Sequence, residues 1–344
     1  MKRYLSRRQH LRTILVLISC YFHKSLFLFG NEKLKKLTKM KMKKKVKRTG
    51  LLFDDRYIKH TLGPGHPESP ERLKSIGRQL KQSDIFSATS EIKPGVTDPM
   101  PYIKMIHSEK HIALVKAEAN DESVCRLAVA GVLSAVDSVC LGRDINAFCA
   151  IRPPGHHAAN RGPYGFCFYN NIAIAARYAQ SKYKLKKILI IDWDYHHGDG
   201  TEWAFYDDPS VLFFSTHAEY AFPRTGSPDK KGKGKGLGFN INVPLPHNAK
   251  NRDIVVAFNK KLLPAVEKFK PELILVSAGF DSRKDDKLGD FEITDKGFET
   301  LTEIVKTIAK EHCDSKLVSM LEGGYNTKGL ALAVDTHIQT LNKP

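Results

Sequence analysis

From Gly50 onward the chain alternates two hydrophobic patterns. Short runs rich in Ile, Val, Leu and Phe at 145–151, 187–193, 211–216, 239–243, 273–278 and 316–321 predict strands. Around them, apolar residues recur at helical spacing over 69–81, 123–141, 171–181, 252–269, 294–311 and 329–341, which predicts helices. The strand runs are continuously apolar, so both faces of their sheet must be covered. The pattern predicts an α/β fold with a mainly parallel sheet and helices on both faces. Neither a long linker nor a repeat interrupts it, so 49–344 reads as one domain.

With 42% apolar and 27% charged residues over 344 positions, the chain can bury a large core, which excludes a wholly disordered or collagen-like protein. The net charge of +18 belongs mostly to one end. Of the 55 Lys and Arg, 16 lie in 1–48 against the single acid Glu32, giving that segment +15 and leaving +3 for the rest. A basic field confined to a tail concerns solubility and non-specific attraction, so specific nucleic-acid binding by the domain is not expected. Lys2, Arg3, Arg7, Arg8 and Arg12 precede an apolar run at 14–22, an order that resembles a signal peptide. The run is short for a membrane span, and no small-residue cleavage site stands out. Met40 and Met42 lie in the lysine run that follows, so translation is expected to begin at one of them, with export or membrane anchoring as the alternative. Six scattered cysteines without a CxxC pair exclude a disulfide scaffold and fit a reducing, cytoplasmic setting.

The segments after the strand runs carry the chemistry. Arg152-Pro153-Pro154-Gly155-His156-His157 follows the first run, and the second leads into Asp194-Tyr195-His196-His197-Gly198-Asp199-Gly200. His217 follows the third run, Gly279-Phe280-Asp281 the fifth, and Glu322-Gly323-Gly324-Tyr325 the sixth. Open α/β sheets bind ligands at the carboxyl ends of their strands, so five loops can converge on one site. Asp192, Asp194 and His196 are spaced two apart, which puts them on one face of an extended segment. Asp194 and His196 can then share a metal with Asp281. Three protein ligands leave room for water and substrate, the form of a catalytic site. Helix capping would explain one such Asp, but not two Asp and two His within six residues.

The His156-His157 pair reads as a proton-transfer station. Each imidazole needs an acceptor on its far nitrogen, and Asp192 and Asp199 are available. Tyr325, after two glycines, can present a phenol to a developing oxyanion. The segments Gly165-Phe166-Cys167-Phe168-Tyr169 and Phe222-Pro223 fit core packing or the walls of a narrow apolar channel, with Cys167 as a small hydrophobe. The glycines at 232, 234, 236 and 238 lack a GK[ST] ending and read as a surface loop.

The order RPPGHH, GFCFYNN, DWDYHHGDGT, STH, SAGFDS, LEGGYN, preceded by GHPESPERL at 65–73, resembles the histone deacetylase superfamily in its class II-like branch, over about residues 50–341. The resemblance implies a three-layer arginase/deacetylase-type α/β fold and a zinc-dependent deacetylase. It implies zinc held by Asp194, His196 and Asp281, with His157 as general base oriented by Asp199. His156, oriented by Asp192, would be the electrostatic or acid partner, and Tyr325 would polarise the substrate carbonyl. Phe166 and Phe222 would flank an acyl-lysine channel, with Gly165, Gly324 and Leu288 also on the substrate side. A potassium ion beside the zinc would match Asp192, Asp194, His196, Ser215 and Thr216.

In that family the position seven residues after the third metal ligand faces the channel mouth, and in the branch selective for acetylated polyamines it is Glu. Here it is Leu288. The implied substrate is therefore acetyl-lysine in a protein or peptide, releasing acetate, with a small acylated amine as the alternative. Asp285, Asp286 and Asp290 stand close enough in sequence to supply the missing charge. Two-manganese ureohydrolases share the fold but need a second Asp two residues beyond Asp281, where this chain has Arg283; that points to one metal.

Overall fold

The computed structural model describes residues 48–344; the apolar leader and the alternative starts at Met40 and Met42 lie outside them. The sheet is built from β1 (Thr49–Phe53), β2 (Ser90–Ile92), β3 (Asn146–Ala150), β4 (Ile188–Asp192), β5 (Val211–Ala218), β6 (Asn240–Leu245), β7 (Leu273–Ala278) and β8 (Leu317–Leu321). All neighbours are parallel, in the order β2-β1-β3-β8-β7-β4-β5-β6. Every residue of β3, β4, β5, β7 and β8 is buried. A sheet buried that completely has cover on both faces. Helices Glu122–Cys140 and Asn171–Tyr183 pack on each other and on the sheet. Pro70–Gln82, Thr327–Asn342, Asp295–His312 and Asn251–Ala257 pack in series, and together these layers make the three-layer α/β fold. Glu122–Cys140 is long and apolar enough to cross a membrane, yet most of it is buried in the core.

Local chemistry sets where the helices begin. Asp121, Asn170, Thr294 and Asn326 each accept a hydrogen bond from a first-turn N–H, satisfying a donor the helix cannot. The helix predicted over 252–269 contains a π turn at Phe258–Leu262, followed by Pro264. Proline lacks the N–H that the regular ladder needs.

The sheet differs from the sequence expectation. β1 and β2 are additional strands. β2 is three residues long with no apolar run, and its pairing with β1 makes it an edge strand. β5 continues through His217 and Ala218, which pair with Pro244 and Leu245 of β6. His217 is therefore a buried strand residue: its ring lies 2.9 Å from Ser215 Oγ and 3.0 Å from the Gly226 carbonyl.

Candidate active site

The register levels the strand ends. Asp192, last in β4, pairs with Ser277 of β7 and Ser215 of β5. The loops after the adjacent strands β3, β8, β7 and β4 thus start from one edge and meet there.

Asp194, His196 and Asp281 come together at that edge, with ligand atoms all within 4.8 Å of one another. His196 Nδ1 lies 2.9 Å from Asp281 Oδ2 and 3.2 Å from Asp194 Oδ1. Both carboxylates are fully buried. Burial and repulsion from Asp194 push Asp281 up to about 7. Burial opposes charge on His196, but the carboxylates of Asp194 and Asp281, accepting from its ring, outweigh it and raise the imidazole to about 10. Burial likewise opposes ionisation of Asp194, yet His156 and His196 hold it well below the ordinary carboxylate range. Two buried carboxylates converging on one imidazole form a donor set that a divalent cation would neutralise, and the oxygen and nitrogen ligands suit zinc. Gly279 and Gly323 back this set so closely that a Cβ at the first would overlap Asp194 and at the second Asp281.

The two histidines after β3 differ despite being neighbours. His156 Nδ1 lies 3.0 Å from Asp192 Oδ2, and His157 Nδ1 lies 2.7 Å from Asp199 Oδ1. Burial disfavours charge on both. For His156 the carboxylates of Asp194 and Asp192 reverse that, holding it well above its ordinary value. His157, with His156 beside it, falls to about 3. A neutral His157 that donates from Nδ1 to Asp199 keeps its Nε2 lone pair free, which is the state a base requires. Glu322 supports the pair from below. Its Oε2 accepts from the backbone N–H of Gly155 (2.7 Å) and His156 (3.2 Å), and its Oε1 from Ser277 Oγ (3.0 Å).

A cavity of about 360 Å³ opens above this edge, lined by His157, Tyr164, Gly165, Phe166, His196, Phe222, Leu288 and Tyr325. The Phe166 and Tyr325 rings lie 5.9 Å apart, and Tyr164 packs on Phe222 at 5.0 Å. Gly165 (φ +56°) and Phe166 (φ +66°) are both left-handed. A Cβ at Gly165 would overlap the His157 ring. Phe166 pays steric strain of about 1–3 kcal/mol to place its ring on the channel wall. Leu288, 40% exposed, stands at the rim.

Gly324 is not on this wall. It has φ +122° in the turn before Tyr325, and its carbonyl accepts from Arg72 Nε at 2.6 Å. The acids near Leu288 are also committed, apart from Asp285. Asp286 accepts from backbone N–H groups, and Asp290 accepts from Tyr195 Oη and bonds His247. Around Asp192, the register puts Ser215 on the same face, while strand alternation puts the Thr216 side chain on the opposite face, where its Oγ1 is buried without a partner. Any part Thr216 takes in holding a cation at Asp192 falls to its backbone.

Sequence reasoning assigned no role to several residues the structure brings here. Arg161 reaches the outer oxygen of Asp199 and the His157 carbonyl (3.2 Å), and its guanidinium lies 4.1 Å from the centre of the Tyr164 ring. Fully buried Glu68 accepts from Arg152 (2.6 and 2.7 Å) and Arg72 (3.1 Å), linking the GHPESPERL segment to the end of β3. The signal for Glu68 and Arg72 is present in GHPESPERL, but a lone charge in a motif does not say what it pairs with.

A family model described as the histone deacetylase domain matches residues 66–341. A probable deacetylase of Archaeoglobus fulgidus is 35% identical over 300 residues, 82% of each chain. The chloroplastic histone deacetylase 10 of Oryza sativa subsp. japonica is 36% identical, over 81% of this chain and 70% of that one. The polyamine deacetylase HDAC10 of Mus musculus is 38% identical, over 80% of this chain and 44% of that one. The crystal structure of the HDA15 HD domain superposes with a TM-score of 0.80 at 32% identity, covering 86% of this chain and 88% of that one.

Proposed function

Because the chain belongs to the histone deacetylase family, we propose that residues 49–344 are one catalytic domain that removes acetyl or other acyl groups from lysine side chains of proteins, releasing acetate. The observation that carries this reading is the channel: aromatic along its walls, with His157, His196 and Tyr325 at its buried end and Leu288 at its mouth. Apolar walls suit the methylene stem of an acyl-lysine, and the polar end suits its amide.

Asp194, His196 and Asp281 would hold a zinc ion, and a bound zinc supplies Lewis acidity that activates water and polarises an amide carbonyl. His157 accepts the proton of the attacking water at Nε2, since Asp199 fixes Nδ1. His156, held charged by Asp192 and Asp194, offsets negative charge developing beside it. A histidine of the pair then returns a proton to the leaving amine. The Tyr325 phenol, kept protonated by burial, donates to the tetrahedral oxyanion. A potassium ion at Asp192, Asp194, His196, Ser215 and Thr216 would add positive charge under the same edge. A reducing, cytoplasmic setting is the reading that six scattered cysteines without a CxxC pair favour.

A small acylated amine is the second reading, favoured by the relative named as a polyamine deacetylase. Leu288 favours the first, since an apolar rim gives a distant ammonium no electrostatic gain. The test compares kcat/KM for an acetyl-lysine peptide and N-acetylated polyamines, in wild type and Leu288→Glu. The wild type should prefer the peptide and the variant should shift toward the polyamine. A wild-type preference for the polyamine overturns the protein-lysine reading.

A further inference from the structure

Tyr325 follows Gly323 and Gly324, two residues that restrain a backbone poorly. Among the described residues its hydroxyl makes no hydrogen bond, so the phenol is aimed only by its ring packing and by whatever fixes its main chain. Asp286, in the loop after β7, does the latter. Asp286 Oδ2 accepts from the backbone N–H of Tyr325 at 2.7 Å and of Asn326 at 3.0 Å. Its Oδ1 accepts from the N–H of Leu288 at 2.9 Å. The neighbouring Asp285 carbonyl accepts from Asn326 Nδ2 at 2.8 Å. Asn326 in turn caps helix Thr327–Asn342 through its own side chain.

We infer that Asp286 is a positioning residue, its single carboxylate tying the turn that carries Tyr325 to the loop that carries Leu288 and so setting the phenol at its working distance from the reacting carbonyl. Charge-assisted bonds from a carboxylate to backbone N–H groups are about twice as strong as neutral ones, and the partially positive start of a helix strengthens them. Arg72 restrains the same turn from its other side through the carbonyls of Glu322 (2.5 Å) and Gly324 (2.6 Å). The turn is thus held by an anion on its N–H groups and a cation on its carbonyls, while among the described residues no hydrogen bond constrains the phenol oxygen itself. Asparagine at 286 presents one acceptor oxygen and an NH2 group that only donates, so it cannot serve the Leu288 side and the Tyr325 side together.

The proposal rests on Tyr325 being the oxyanion donor, and a double-variant cycle separates the two claims. With metal-loaded enzyme and an acetyl-lysine peptide, Tyr325→Phe should lower kcat by about 10²–10³. Asp286→Asn should lower kcat by about 10–10², the scale of a misplacement near 1 Å, with little change in KM and unchanged metal content. In the Tyr325→Phe background, Asp286→Asn should cost nothing further, because it acts through the phenol. Asp286→Glu keeps an anionic acceptor and should recover part of the kcat that Asp286→Asn loses. Multiplying losses in the double variant, or no recovery with Glu, overturns the positioning role while leaving Tyr325 in place. A wild-type rate for Tyr325→Phe overturns the oxyanion role and the positioning role together.

Discussion

The carboxyl edge of the sheet, where the candidate site lies, and the helical layer beside it both bury imidazoles, with different partners. His337, on helix Thr327–Asn342, lies 2.7 Å from Thr302 Oγ1 and 2.7 Å from Ser319 Oγ. Hydroxyls rotate to donate or accept, so a neutral ring is satisfied there and burial holds it at about 3. At the edge, each of His156, His157 and His196 faces at least one aspartate. Burial has the same sign in both regions, so it does not distinguish structure from chemistry. The partner does. A hydroxyl adapts to a neutral ring, whereas carboxylates favour the protonated one. Two of them outweigh burial at His156 and at His196, while the single Asp199 leaves His157 neutral at about 3 and fixes which of its nitrogens carries the proton. The edge also gathers Asp192, Asp194, Asp281 and Glu322, more carboxylates than the two imidazoles, His156 and His196, that they hold protonated. That surplus is costly for a fold and useful to a cation.

Removing a carboxylate from the edge should have the largest effect. Asp281→Ala or Asp194→Ala should lose the bound metal and nearly all hydrolysis, because a three-ligand site cannot spare one. Elemental analysis beside a deacylation assay checks this; full activity without metal would remove the assignment. His337→Gln should retain both metal and rate, since the ring hydrogen-bonds only the hydroxyls of Thr302 and Ser319 and otherwise packs on Phe148, Trp193 and Phe280.

Within the edge, the two adjacent histidines should separate by smaller amounts. His157→Ala should lower kcat at least as much as Tyr325→Phe, within the 10²–10⁴ range of a lost general base. His156→Ala should cost less if its part is electrostatic. Steady-state kinetics of the two variants decide it, and a far larger loss for His156→Ala reverses the two roles.

The central strands were legible from the chain because β3, β4, β7 and β8 are continuous apolar runs, a pattern a doubly covered parallel sheet enforces. β2 was not, since three edge residues carry no periodicity. The convergence of Asp194, His196 and Asp281 was legible because all three sit just past strand ends, where topology alone brings them close. Asp286, Glu322 and Arg161 were illegible as partners for a common reason. Their contacts are to backbone N–H or carbonyl groups, or to residues dozens of positions away, and a sequence shows which side chains exist without showing which main-chain atoms they meet. Asp286 was read as a candidate charge for a polyamine; the backbone it binds gives that charge a different use.

The smallest effect concerns stability, and it tests the helical layer directly. His337 is pushed down to about 3 in the folded chain, against an ordinary value of 6.5. Between those values the unfolded chain binds a proton that the folded chain refuses, so stability rises with pH across that window and falls as pH drops from 6.5. One such proton is worth up to about 1.4 kcal/mol per pH unit. His60, His107 and His217 are depressed by burial too, to about 4, 3 and 3, and add slopes of the same sign. Asp281 and Glu322, raised to about 7 by burial, act with the opposite sign above their unfolded values near 4. The difference between wild type and His337→Gln cancels all of these and isolates one ring. Urea unfolding at several pH values from 7 to 5 should show wild type losing stability more steeply than the variant on acidification, by up to about 1.4 kcal/mol per unit below 6.5. Equal slopes would mean that His337 takes up its proton in the folded state, and the contrast between hydroxyl-bonded and carboxylate-bonded imidazoles would not hold.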